Sequence, residues 1–258
     1  MIGIYFSGTG NTRFCVDKFL EYYNKDAVRC SYAIEDKVAL TKLKDNKDIV
    51  LGYPIYYSDL PIIMKDFIQD NQALFRGKNV FIIVTMGLFS GDGAGCAARL
   101  LQKYGANILG GLHLKMPDCI GDVKLLKKPL EENREIVRKA DAKIKAAVEA
   151  VWQGHYRRDG LGIISHAAGL FGQRLYFYNK TEQLRDKLKI DSEKCVSCGK
   201  CATLCPMGNI KMTDGRPTTC GNCTSCYRCI SNCPKQAITL IGSTVLEQST
   251  IEKYTDTE

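Results

Sequence analysis

The chain of 258 residues carries 36 Lys and Arg against 28 Asp and Glu, a formal charge of +8, and 13 cysteines. No run of eighteen apolar residues occurs, which excludes a membrane-spanning helix, and Met1 leads into Ile2-Gly3-Ile4-Tyr5-Phe6 without the basic and apolar regions of a signal peptide. The expectation is a cytoplasmic protein, where reduced cysteines favour metal over disulfides.

The apolar run Ile2 to Phe6 ends in Ser7-Gly8-Thr9-Gly10-Asn11-Thr12, after which Phe14, Val16, Phe19 and Leu20 recur at helical spacing. This reads as strand, tight loop and helix. The loop N–H groups and the helix N-terminus favour an anion, by about 0.3–1 kcal/mol per charge from the dipole. No lysine follows the glycines, so the loop is not a nucleoside-triphosphate loop, and Arg13 stands where a dinucleotide fingerprint has its third glycine. A monophosphate held by neutral donors fits, with Ser7, Thr9 and Thr12 as hydroxyl donors. The hexapeptide Ser7 to Thr12 resembles the FMN-phosphate loop of the flavodoxins.

Four further strands are expected at Ala27 to Tyr32, Asp48 to Tyr53, Asn79 to Thr85 and Ile108 to Leu114, with helices near Pro61 to Phe75 and Gly93 to Tyr104. Alternating strands and helices give an α/β fold with a parallel sheet. In the flavodoxin-like order 2-1-3-4-5 a ligand sits at the carboxyl ends of the strands, beside the switch point between strands 1 and 3. That rule selects Pro54, Ile55, Tyr56 and Tyr57 after strand 3, and Thr85, Met86, Gly87, Leu88 and Phe89 at the end of strand 4. The resemblance implies that these loops border the flavin ring, with Tyr56 and Phe89 as candidate ring contacts. Glu131 to Trp152 is an amphipathic helix, its stripe of Ile136, Val137, Ala140, Ile144, Ala147, Val148 and Val151 expected to pack on the sheet.

Residues 154–189 form a connector rich in Leu170, Phe171, Leu175, Tyr176, Phe177 and Tyr178. Such an aromatic face needs a partner, unlike a flexible linker, and is expected to dock the two parts of the chain on each other. His113, His155 and His166 make no metal or triad pattern and are expected to be structural or solvated.

Nine of the thirteen cysteines fall between Cys195 and Cys233. Cys195-x-x-Cys198-x-x-Cys201-x-x-x-Cys205-Pro206 returns as Cys223-x-x-Cys226-x-x-Cys229-x-x-x-Cys233-Pro234, shifted by 28 residues, and Ile210 and Met212 return as Ile238 and Leu240. This is an internal duplication. Structural zinc sites usually place a dozen or more residues between two Cys-x-x-Cys pairs, so the run indicates iron–sulfur ligation. In bacterial runs of this spacing the fourth cysteine ligates the other cluster. By that rule Cys195, Cys198, Cys201 and Cys233 hold one [4Fe–4S] cluster, and Cys205, Cys223, Cys226 and Cys229 a second. Residues from about Ile190 to Ile241 resemble a two-cluster bacterial ferredoxin, with a hairpin at Thr213-Asp214-Gly215-Arg216. Cys220 extends the second motif one step upstream and has no counterpart in the first; it is expected to be a non-ligand.

The chain as a whole resembles a flavodoxin–ferredoxin fusion. Its expected organisation is a five-stranded parallel α/β domain over 1–153, the connector over 154–189, a small α+β two-cluster domain over 190–242 and a polar tail over 243–258. Two clusters at about −2 each and a flavin phosphate of up to about −2 would bring the charge near +2, so a nucleic-acid partner is not expected. The residual basic excess between Lys124 and Lys189 suits a solvated helix face or an acidic redox partner protein. The expected function is electron transfer between FMN and two [4Fe–4S] clusters, with no catalytic residue assigned. Two alternatives stay open: a flavin-site reductase of a quinone or nitroaromatic fed by the clusters, and a ferredoxin whose first half is a flavin-free docking scaffold.

Overall fold

The computed structural model describes residues 1–25, 30–169, 171, 177 and 180–255. Its first half is a parallel sheet of β1 (Ile2–Tyr5), β2 (Ser31–Ala33), β3 (Asp48–Pro54), β4 (Asn79–Met86) and β5 (Asn107–Lys115), in the order β2-β1-β3-β4-β5. This is the flavodoxin-like arrangement, with its switch point between β1 and β3. Residues 27–29 of the expected second strand lie outside the described residues.

Alternation along the strands splits the core into two layers. Ile49, Leu51, Val80, Ile82 and Val84 face one side, packed beneath α2 (Lys37–Asp45), α3 (Ile62–Asp70) and α5 (Gly93–Lys103) through Ala39, Leu43, Met64, Ile68, Ala97 and Leu101. Val50, Phe81, Ile83, Leu112 and Leu114 face the other, under α1 (Asn11–Asn24) and α6 (Leu130–Trp152) through Val16, Phe19, Val137, Ile144 and Val148. Burial on both faces explains the continuous apolar runs of β3 and β4. The expected helix from Pro61 to Phe75 is two: α3 ends at Asn71, whose side-chain amide donates to the Phe67 carbonyl at 2.9 Å, and α4 (Gln72–Phe75) follows. An Asn amide competing for a main-chain carbonyl interrupts a helix in this way. Helix α2, for which the sequence raised no expectation, starts at Asp36, whose carboxylate accepts from Val38 N.

After α6 the chain returns along the open edge of β5. Gly111 N donates to Arg157 O at 2.8 Å and Asp159 N to Gly111 O at 2.9 Å, so residues 157–159 cover the edge. Then follow α7 (Ile163–Gly169), α8 (Lys180–Leu184), β6 (Lys189–Ile190), α9 (Lys200–Leu204), β7 (Ile210–Thr213), β8 (Arg216–Thr219), α10 (Arg228–Asn232) and β9 (Ile238–Thr239). Of the aromatic connector residues, Leu170, Leu175, Tyr176 and Tyr178 lie outside the described residues.

The cysteine-rich part has two small antiparallel sheets, β6-β9 and β7-β8. Asp214 and Gly215, with φ of 50° and 75°, make the expected hairpin turn. The duplication extends to the backbone. Ser197 and Ser225 have φ of 53° and 57°, Gly199 and Tyr227 73° and 58°, and Gly208 and Gln236 59° and 49°. Residues at 243–255 are polar in composition, yet Ile251 and Tyr254 are buried in the layer under α1 and α6, and Ile251 N donates to Thr9 O at 2.9 Å. Among the described residues no helix is long and apolar enough to cross a membrane.

Candidate cofactor sites

A cleft of about 250 Å³ opens at the carboxyl ends of β1, β3, β4 and β5. Of the residues selected from the sequence, Ser7, Gly8, Thr9, Asn11, Thr12, Pro54, Ile55, Tyr56, Tyr57, Thr85, Met86, Gly87, Leu88 and Phe89 line it, while Gly10 does not. Gly10 instead sits behind the loop with φ of 95°, capping α1 without any side-chain bond to the first helical N–H groups. No acidic residue occupies the first turn of α1, so the uncapped helix end is free to meet an anion.

Two of the three expected hydroxyl donors have protein partners: Ser7 Oγ accepts from Gly10 N at 3.1 Å, and Thr12 Oγ1 and Thr85 Oγ1 are 2.8 Å apart. Asn11 Nδ2 donates to Pro117 O at 2.8 Å, whereas the buried Asn11 Oδ1 has no partner. Ser225 Oγ, from the cysteine-rich half, is likewise buried, unpartnered and on a residue lining the cleft. Unpaired buried polar atoms cost about 1–3 kcal/mol each unless a ligand meets them. The open end of α1 thus fits a ligand's anionic end, and the acceptor Asn11 Oδ1 and the Ser225 hydroxyl fit a polar edge.

The two aromatic ring candidates differ from expectation in pose. Tyr56 lines the cleft but turns into the core, its ring edge-on to Phe6 at 6.5 Å. Phe89 stands half exposed at the mouth beside Leu88. The aromatic wall is Tyr57, whose ring lies 5.6 Å from Phe177 of the connector. Residues 56–59 form a tight turn closed by reciprocal bonds between Tyr56 and Asp59, with Tyr57 and Ser58 both left-handed at φ of 50° and 62°. Left-handed non-glycine residues cost about 1–3 kcal/mol each and concentrate at ligand clamps. Burial first, then Cys119 and Asp118, pushes the Tyr57 hydroxyl up to about 12, so it stays a donor.

Sequence reasoning missed Met116, Pro117, Asp118, Cys119 and Ile120, which follow β5 and close the cleft. The rule that ligands sit at strand ends would have reached them had it been applied to β5. It also missed the contribution of the cysteine-rich half: Ser225, Cys226 and Tyr227 form the far wall.

Behind that wall lie two smaller cavities. Cys205, Cys223, Cys226 and Cys229 line one, and Cys195, Cys198, Cys201 and Cys233 the other. These are the two sets assigned by the crossed rule, and Cys220, exposed, lines neither. Among the described residues no group of three or more His, Cys, Asp or Glu is placed to hold a single metal ion; the thiols surround space instead. Main-chain N–H groups reach the sulfurs in matched pairs. Ser197 N and Ser225 N lie 3.4 Å from Cys195 Sγ and Cys223 Sγ, and Asn209 N and Ala237 N lie 3.2 and 3.4 Å from Cys205 Sγ and Cys233 Sγ. Burial pushes the Cys226 thiol up to about 12 and raises those of Cys201, Cys223 and Cys229. Thiolates in such places need compensating positive charge, which the iron of a cluster supplies, so the donor set fits the cofactor.

The cleft and the inner cavity share Cys226 and Tyr227. Three contacts hold that wall in place. A Cβ on Gly8 would stand 2.1 Å from the Cys226 carbonyl oxygen, so the loop after β1 packs backbone on backbone against the wall. Arg228 donates to Ser7 O at 2.8 Å and pairs with Glu35 at 2.6 Å. Tyr227 Oη donates to the buried Asp122 at 2.9 Å, and Asp122 also accepts from Leu240 N and Ile241 N at 2.7 and 2.9 Å.

All three described histidines avoid the cleft. His113 Nε2 accepts from Ala94 N at 3.1 Å and its Nδ1 lies 2.7 Å from Ser90 Oγ, so the ring is neutral with Nδ1 protonated. Burial above all pushes it down to about 4.

Comparison with known proteins finds the 4Fe-4S binding domain family at residues 188–211. No curated protein sequence matches the chain. Among solved structures, the two-electron reduced flavodoxin of Megasphaera elsdenii aligns at 23% identity over 56% of this chain and 99% of its own, with a TM-score of 0.41. The Fusobacterium nucleatum flavodoxin bound to flavin mononucleotide aligns at 18% identity over 60% and 98%, with a TM-score of 0.42. Rubredoxin oxygen:oxidoreductase from Desulfovibrio gigas aligns at 14% identity over 58% and 36%, with a TM-score of 0.39. In one polypeptide the chain joins an α/β half with the flavodoxin-like strand order to a cysteine-rich half whose residues 188–211 match the 4Fe-4S binding domain family.

Proposed function

We propose that the protein is a cytoplasmic electron-transfer protein that binds FMN in the cleft and two [4Fe–4S] clusters in the cavities behind it. The observation that carries this reading is the shared wall: Cys226 and Tyr227 line both the cleft and the cavity of Cys205, Cys223 and Cys229. When bound, FMN exchanges one electron or two and each cluster one, so the arrangement can convert between pairs and single electrons.

The chain's own residues do the rest. The loop Ser7 to Thr12 and the uncapped α1 terminus hold the phosphate, and Thr85 with the turn at 56–59 shapes the ring end. Asn11 Oδ1 and Ser225 Oγ supply polar contacts that the protein leaves open. Gly8 and Arg228 hold the wall against the loop after β1, and Asp122 pins Tyr227 within it. The cavity of Cys195, Cys198, Cys201 and Cys233 shares no residue with the cleft and would hold the outer cluster, with Cys198 exposed. It is the natural port for a redox partner protein.

The test is anaerobic reconstitution followed by analysis of flavin and iron and a redox titration. One FMN and about eight irons per chain, equilibrating together, is the expected result. Failure to take up FMN overturns the reading and leaves the docking scaffold. A second reading, reduction of a small acceptor at the flavin, is favoured by Asp118, a cleft carboxyl that burial pushes up despite the bond it accepts from Ile120 N. Held protonated at higher pH than an ordinary carboxyl, it could supply a proton. Turnover of a quinone that falls at least about tenfold in Asp118→Asn, with FMN affinity unchanged, would establish it.

A further inference from the structure

The duplication makes the two cavities near copies, so their differences stand out. Residue 196 follows the first cysteine of one motif and residue 224 the first cysteine of the other; residues 209 and 237 lie four past the cysteines that cross over. Val196 and Ala237 line the outer cavity, whereas Thr224 and Asn209 line the inner one. An apolar pair has become a polar pair at equivalent places.

Both polar residues are deeply buried, Thr224 at 2% and Asn209 at 1% exposure. Thr224 Oγ1 and Asn209 Nδ2 have no hydrogen-bond partner in the protein. The amide orientation of Asn209 is settled by its other branch, where Oδ1 accepts from Asn222 N at 2.5 Å. Two donors are therefore left open on residues that line a cavity walled otherwise by four thiols, Tyr227 and apolar residues such as Leu188, Ile230 and Leu240. Leaving such groups unpaired is costly, and valine and alanine already serve at the same places 28 residues away.

Resting on the two-cluster reading, we propose that Thr224 Oγ1 and Asn209 Nδ2 donate hydrogen bonds to sulfur atoms of the inner cluster and raise its reduction potential. Reduction adds one negative charge to the cluster, and a donor facing sulfur stabilises the reduced form more than the oxidised one. Burial acts in the opposite direction. The inner cysteines Cys226 and Cys229 are buried, whereas Cys198 of the outer set is exposed, and withdrawal from water disfavours the added charge. The two donors offset that penalty at the cluster beside the cleft, keeping it able to take an electron from there.

The experiment is an anaerobic EPR-monitored redox titration of the reconstituted full chain and of Thr224→Val, Asn209→Ala and the reciprocal Val196→Thr. Thr224→Val should lower one of two midpoints, cutting the equilibrium constant for its reduction about tenfold, which is about 59 mV for a one-electron couple, and leave the other in place. Asn209→Ala should lower the same midpoint, and Val196→Thr should raise the other. Thr224→Val should also leave the cluster-free protein as stable as before or more so, because no protein partner loses a bond.

About eight irons with unmoved midpoints, or both midpoints moving together, overturns the inference alone. A cluster-free Thr224→Val that unfolds more easily also overturns it, because the hydroxyl is then bonded within the protein. Wild-type protein with about four irons and a single midpoint overturns the two-cluster reading and this inference with it.

Discussion

Replacing Gly8 by alanine isolates the contact that holds the cleft against its far wall. Gly8 is not among the positive-φ glycines, so alanine meets no backbone penalty there. The added Cβ would stand 2.1 Å from the Cys226 carbonyl oxygen and 3.2 Å from Tyr56 Oη, against a practical floor of 3.0 Å. The loop and the wall must separate by about 0.9 Å, the difference between 3.0 and 2.1 Å, and the obstacle is main chain. Overpacking of this kind costs about 1–3 kcal/mol, a fivefold to about 150-fold loss in the docked population. Urea unfolding of the reconstituted protein should show that loss. Arg228→Ala removes the bonds to Ser7 and Glu35 across the same contact, so the two substitutions together should cost less than their sum. Equal stability of Gly8→Ala and wild type within about 0.5 kcal/mol, or strict additivity with Arg228→Ala, would refute the reasoning.

Cys205→Ser should lose about four of eight irons and Cys220→Ser none, checked by iron analysis after anaerobic reconstitution; loss on Cys220→Ser would shift the ligand register. Ile251→Ala should cost about 2–5 kcal/mol, read by denaturant unfolding, since Ile251 is 3% exposed and fills the space behind Gly10. It should also weaken FMN binding through the loop it supports, and unchanged affinity would show that the loop stands without it. Stability should decline as pH falls from about 6.5 towards about 4. His113 is neutral in the fold and pushed down to about 4, so its contribution is complete above the unfolded value of 6.5 and is lost on acidification, by up to about 3 kcal/mol. Burial is the main cause, with Lys143 lowering it further and Asp159 and Asp92 opposing. His113→Gln should flatten that limb of the stability–pH curve; an unchanged slope would count against the assignment.

The sheet was legible because β3 and β4 are buried on both faces and so read as unbroken apolar runs. The cysteine sets were legible for another reason, since a repeat at constant shift constrains eight positions at once. What escaped notice depends on contacts between residues far apart in the chain. Arg228 looks like a spacer between ligands until it meets Ser7 and Glu35, and Ser225 looks the same until it faces the cleft. Tyr56 and Tyr57 are adjacent aromatics in a loop, where no periodicity tells which turns inward. Two successive left-handed residues decide it. The segment after residue 242 reads as a polar tail because Ile251 and Tyr254 are too few and too isolated to make a hydrophobic stripe, yet both are buried.

That last segment also bears on how the molecule is made. Ile251 closes on Thr9 and Gly10 across nearly the whole length of the chain, so a ribosome releases the phosphate loop long before the residue that braces it. The cysteine-rich stretch emerges in between. Synthesis thus leaves the core layer under α1 and α6 incomplete until the metal-binding half has been delivered, and cluster insertion can run ahead of the loop's final closure. A gene fragment ending at residue 153 would encode five strands with a gap where Ile251 and Tyr254 belong. A first half lifted out at residue 153 would therefore lack two residues of its own core.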